Sequence, residues 1–202
     1  MAYDDIQFYS SPNGGPRIAY ASFDSGESFG KGDVVTLVAE DGDIQEALAT
    51  GVTGPGLYGV ALAGPNGPGG ITLNDPQTDT TYAAGALIPV AIPDSNTLWI
   101  TRNFSAASAA FDDTAPLVAD IGNAIGLVSI GGVWGVDLAP DSNDTVGRLI
   151  DILDNQKVSL LPRAGGTART VATTDAFWVV FQIIAHMGTP DSGESVAPIG
   201  ET

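Results

Sequence analysis

Short apolar runs, rich in β-branched residues and parted by Gly, Pro, Asp and Ser, recur along the whole chain. Runs this short, with turn residues at both ends, predict strands rather than helices. A Gly32-Asp33 turn opens the run at 34–38, and the acidic turn at 40–43 sends the chain back through Ile44 as a hairpin. Residues 57–62 predict a third strand, closed by the Gly/Pro-rich loop 64–70, and 87–90 with 98–101 predict a further hairpin around the polar turn 93–96. Segment 145–154 reads two ways. Val146, Leu149, Ile150 and Leu153 share one helical face, but Gly147 costs a helix ~1 kcal/mol relative to Ala.

Much of the pattern returns about 90 residues later, the mark of an internal repeat. Phe23-Asp24 matches Phe111-Asp112, and residues 32–38 match 122–128. The turn at Asp41-Gly42 falls opposite Gly131-Gly132, and Ile44 opposite Trp134. Residues 59–62 then align with 147–150, which favours a strand there, and Leu98-Trp99-Ile100 answers Phe177-Trp178-Val179. The expected fold is all-β: two tandem small β-barrel, β-tulip-like or β-sandwich modules behind an extended N-terminal arm. The arm covers 1–22, the modules 23–104 and 105–187, and a flexible acidic C-terminal tail 188–202.

Composition narrows the function. The 202 residues carry seven Lys and Arg against 24 Asp and Glu, a formal charge of −17 that is shared evenly between the halves. Such a surface repels phosphate backbones and anionic lipid, so neither nucleic acid nor membrane is an expected partner. There is no cysteine, which removes disulfides, thiolate metal sites and cysteine nucleophiles. The first residues show no basic and apolar signal pattern, and the expectation is synthesis and retention in the cytoplasm of the producing cell.

Candidate chemistry is sparse. Gly54, Gly56 and Gly59 have dinucleotide-fingerprint spacing, but the apolar residues after them run into the Gly/Pro-rich loop at 64–70 instead of the helix a pyrophosphate needs. His186 stands alone, and no Gly-x-Ser-x-Gly is present. Acids at 40–43 and 141–144 offer hard oxygen ligands for Ca²⁺ without the EF-hand spacing, and the same residues are turn formers. The expectation is no enzyme and no cofactor.

The segment 25–37, Ser-Gly-Glu-Ser-Phe-Gly-Lys-Gly-Asp-Val-Val-Thr-Leu, with Asp-Gly-Asp-Ile at 41–44 and Tyr-Gly-Val-Ala-Leu at 58–62, resembles the opening of tailed-bacteriophage capsid decoration proteins, also called cement or head-stabilisation proteins. The resemblance implies a virion structural protein that binds the outer surface of a phage capsid, with the major capsid protein as partner. It further implies a homo-oligomer, a trimer near local three-fold axes. An arm such as 1–22 can add a strand to a neighbour's exposed sheet edge, which makes Tyr3, Phe8, Tyr9, Arg17 and Tyr20 the candidate capsid-contact residues. Two tandem modules and an acidic tail depart from the single-module pattern. The alternative is a carbohydrate-binding or adhesive module of a virion fibre or baseplate, with Tyr82, Trp99, Trp134 and Trp178 offering ring faces to sugars.

Overall fold

A computed structural model describes residues 6–12, 14–23, 27, 29–38, 42–47, 56–63, 87–94, 96–105, 110–111, 116–140, 144–153 and 177–184. Among them the chain is all-β, with a turn of 3-10 helix at Val118–Asp120 and no α-helix. In order the strands are β1 (Gln7–Ser10), β2 (Arg17–Ala21), β3 (Val34–Leu37), β4 (Ile44–Glu46), β5 (Leu57–Ala61), β6 (Ile88–Ile92), β7 (Leu98–Thr101), β8 (Phe104–Ser105), β9 (Ala124–Ile130), β10 (Val133–Asp137), β11 (Gly147–Leu153) and β12 (Trp178–Ile183). The ambiguous segment is therefore a strand, β11, held between β12 and β9. Its Gly147 lies so close to the Gln182 carbonyl oxygen that no Cβ fits between them.

Five strands in the order β2-β6-β5-β3-β4 form one sheet, and seven in the order β1-β7-β12-β11-β9-β10-β8 form the other. Neither sheet closes on itself among the described residues. All neighbours are antiparallel except β8, which runs parallel to β10. The sheets do not divide the chain where the repeat in the sequence suggests. β7, expected at the end of the first module, pairs with β12 through Trp99↔Phe181 and Ile100↔Val180. Within the segment expected as an extended arm, β1 pairs with β7 and β2 with β6, one strand in each sheet. Backbone pairing outweighs chain order here because an extended apolar segment leaves its N–H and C=O groups unsatisfied unless it joins a ladder. The tail at 188–202 lies outside the described residues.

One strand pattern occurs in both sheets. β2-β6-β5-β3-β4 and β7-β12-β11-β9-β10 follow the same order. Registers agree as well: Val34↔Val60 and Val35↔Gly59 correspond to Ala124↔Arg148 and Ile125↔Gly147. Gly32 N–H donates to Ala61 O at 2.8 Å, and Gly122 N–H to Leu149 O at 2.8 Å, each glycine in the left-handed region (φ 93° and 95°) that other residues avoid. Ile44 N–H donates to Ser22 O, as Val136 N–H does to Asn103 O. This corrects three of the matches read from sequence. The position equivalent to Ile44 is Val136, because the β9–β10 hairpin is longer than β3–β4. Phe23 corresponds to Phe104, since each bridges in parallel to that strand. The counterpart of Leu98-Trp99-Ile100 is Ile18-Ala19-Tyr20 in β2, not the Trp178 segment, which lies in the neighbouring strand.

The main core lies between the sheets. Val34, Leu57, Val60 and Ala91 of the five-stranded sheet meet Trp99, Ile125, Leu127, Trp134, Leu149 and Phe181 of the seven-stranded one. Trp134 Nε1 donates to Glu46 Oε1 at 3.2 Å across the layers, so a buried donor is satisfied at the point where β10 faces β4. The far face of the five-stranded sheet carries Val35, Ala61, Ile88 and Val90 beneath Phe23 and Phe29, whose rings meet edge to face at 6.3 Å. A third, smaller cluster of Ile100, Leu153 and Val180 occupies the far face of the seven-stranded sheet.

Candidate functional site

The residues named as candidate contacts fall on two sheet edges joined by the turn at 11–16. On β1, Phe8 stands opposite Trp99 and packs its ring against the main core, while Tyr9, at the irregularity between Phe8 and Ser10, is 40% exposed. On β2, Arg17 is exposed and Tyr20 is 63% exposed. Tyr3 lies outside the described residues. The structure thus brings Arg17 and Tyr20 together on one strand, sets Tyr9 on another, and turns Phe8 inward as a packing residue.

Two apolar residues belong to this surface that the sequence reading did not name. Ile18 is 49% exposed and shares a face of β2 with Tyr20, while Leu87 is 63% exposed beside Ile88, the partner of Ala21. The Ile-x-Tyr alternation at 18–20 was the available signal, but alternation alone does not tell an edge strand from a central one. From residue 6 to residue 23 the chain has no carboxylate and a single cation, Arg17. At the end of this stretch the Ser22 hydroxyl donates to the Asp43 carboxylate.

Among the described residues the backbone of β2 is open on its outer side. Leu62 N–H donates to Pro89 O at 2.9 Å, so Pro89 directs its backbone toward β5, where its missing N–H leaves no gap in the β2 ladder. Alternation along an antiparallel strand then aims Val90 and Ile88 at β2. Their partners Ala19 and Ala21 face inward, and Ile18 and Tyr20 present N–H and C=O groups to the outside. No described residue meets them.

The other candidates are dispersed. Trp99 and Trp134 are fully buried and offer no face to a sugar. Trp178 is half-buried with the Arg102 guanidinium 4.4 Å from its ring centroid, and Tyr82 lies outside the described residues. Gly59 sits inside β5, so the glycine-spaced segment leads into a strand and not a helix. His186 is outside the described residues, as are Glu40, Asp41 and 141–143; Asp43 and Asp144 remain, and no group of three His, Cys, Asp or Glu that could hold a metal occurs among the described residues. No described helix is long and apolar enough to cross a membrane. Compared with known proteins, the chain matches no family, no curated protein and no solved structure.

Proposed function

We propose that this chain is a five-stranded β unit written twice in tandem, and that it acts as a non-enzymatic structural protein on the outer surface of a phage capsid, which it stabilises. The observation that carries the reading is the β1–β2 side of the molecule: two sheet edges with Tyr9, Ile18 and Tyr20 exposed, on a stretch free of carboxylates in a chain of charge −17. Exposed edges that keep apolar side chains, rather than the charges that normally blunt them, are docking features. The resemblance to capsid decoration proteins adds support, because its strand residues fall on β3 and β5, two of the elements that repeat. In this reading the partner is the major capsid protein, the assembly on the shell is a trimer, and no cofactor, nucleic acid or membrane takes part.

The experiment is direct. Purified full-length protein mixed with expanded shells should bind saturably at a fixed ratio to the shell protein and raise the temperature at which the shells disrupt. Absence of stoichiometric binding would falsify the reading. The carbohydrate-binding alternative keeps Trp178 as its sole described ring, and Arg102 already occupies a face of it.

A further inference from the structure

We propose that the open edge of β2 pairs with β2 of a second copy of this chain, antiparallel about a two-fold axis at Ala19. The inference does not rest on capsid binding. It concerns the isolated protein, in which a second copy covers the β2 edge that the shell takes in the reading above, and it is an isologous two-fold contact, distinct from the three-fold assembly proposed there.

Three observations converge on it. The first is that the equivalent edge in the other sheet is filled. Ile18, Ala19 and Tyr20 of β2 occupy the register positions of Leu98, Trp99 and Ile100 of β7. Along the outer side of β7 lies β1, antiparallel, with Gln7 opposite Ile100 and Ser10 opposite Leu98. The same strand edge therefore accepts an added antiparallel strand in one sheet and, among the described residues, stands open in the other.

The second is self-complementarity. Ile18 and Tyr20 carry the outward backbone groups, and antiparallel pairing centred on Ala19 sets Ile18 of one copy against Tyr20 of the partner subunit, twice. Each pair exchanges N–H···O=C bonds, and each couples an aromatic ring to a β-branched side chain, a favourable cross-strand combination. Ala19, on the axis, is small enough to meet its own copy without a clash.

The third is charge. Two chains of −17 repel, yet between residues 6 and 23 no carboxylate is present to face another. Two-fold pairing instead brings Arg17, at one end of β2, toward Ala21 and Ser22 at the other end of the second copy. There the Ser22 hydroxyl holds the Asp43 carboxylate. The only cation of the stretch is thus set away from its own copy, toward the end of β2 nearest the Asp43 carboxylate, on both sides of the axis. This favours a second copy over an extended segment of unrelated sequence.

The cysteine-free chain makes the register testable. In a non-hydrogen-bonded antiparallel pair the facing Cα atoms are about 4.5 Å apart, within the range a disulfide spans. Full-length Ala19→Cys should therefore form a disulfide-linked dimer on mild oxidation. Tyr20→Cys, which would not face itself, should form at least about tenfold less dimer at the same time point. By analytical ultracentrifugation the natural sequence should show a concentration-dependent monomer–dimer equilibrium. Ile18→Pro removes an outward N–H and leaves the β2–β6 bonds intact, so it should weaken the dimer about tenfold or more with the circular dichroism spectrum unchanged. Arg17→Glu should weaken it as well. Equal cross-linking at positions 19 and 20, or a natural sequence that stays monomeric at all concentrations, would overturn the proposal. So would a monomer whose Ile18→Pro variant instead loses shell binding, since the edge would then belong to the shell protein. Should Ile18→Pro fail to fold, the cysteine pair decides alone.

Discussion

The five-stranded sheet and the matching five strands of the seven-stranded sheet share order and register yet invert their polarity. Val34, Val60 and Ala91 form a buried row in the first, where they face the other sheet. The equivalent positions in the second are Ala124, Arg148 and Gln182, on the side turned away from the core, and Ala124 and Arg148 are exposed. On the opposite face the contrast is of size. The row Ala19, Val90, Ala61 lies beneath the Phe23 and Phe29 rings, whereas its counterpart Trp99, Phe181, Leu149 spans the gap between two sheets. Stacked sheets stand about 10 Å apart and need large side chains to close that distance, while a ring laid directly on a sheet leaves room only for small ones. Backbone pairing therefore sets the unit, and what each face meets sets its residues.

The inversion can be broken from either side. Val60→Arg puts a guanidinium into the main core with no carboxylate prepared for it, and should cost about 5 kcal/mol or more, enough to leave the protein unfolded at room temperature by circular dichroism. A folded variant of ordinary stability would show that Val60 does not face the second sheet. Phe181→Ala, which empties the centre of the large row, should lose about 3–5 kcal/mol in urea denaturation, and Val90→Ala at the matching position clearly less.

Gly59 and Gly147 sharpen the shared part. A Cβ at Gly59 would lie 2.5 Å from Ala91 O, and one at Gly147 would strike the equivalent carbonyl, that of Gln182. Each Gly→Ala change should therefore cost about 3 kcal/mol, and the two should resemble each other more than either resembles alanine at an open glycine such as Gly15. The two buried tryptophans separate by their donors. Trp134→Phe strips Glu46 of its indole partner and should lose about 1–2 kcal/mol, whereas Trp99 Nε1 has no partner among the described residues, so Trp99→Phe should cost less than Trp134→Phe by thermal melting. Smallest of all, Arg148→Val should change stability by no more than about 0.5 kcal/mol, although the equivalent of Arg148 is the buried Val60.

How far the sequence carries is clear from particular residues. All-β character was legible from the short β-branched runs and their turns. The equivalence of 32–38 with 122–128 and of 59–62 with 147–150 was legible too, because a left-handed glycine before a strand and a glycine pressed on a neighbouring carbonyl are requirements of the backbone. The Trp99 and Trp178 segments misled because two apolar closing strands look alike, while the true counterpart of Trp99 is Ala19, unlike it in every respect but register. Of the residues named as candidate contacts, Tyr9, Arg17 and Tyr20 are exposed in the structure. Ile18 and Leu87 were missed, and Phe8 turned inward. Whether a strand ends up at the margin of a sheet depends on which distant strand takes its other side, and no local pattern encodes that.

The stacking of the two sheets has an evolutionary corollary. Equivalent faces do not meet: the face bearing Val34 and Val60 in one sheet packs on the face bearing Ile125 and Leu149 in the other, whose own counterparts, Val35 and Ala61, look outward. Layers related in this back-to-front way are like nested chairs, with no dyad to complete the set, and free copies joined by such a contact would run on into a ring or fibre. Among the described residues the run stops at two layers, because Phe23 and Phe29 lie across the seat on which a third would rest. Joining the layers covalently thus turns an open-ended mode of growth into an object of fixed length.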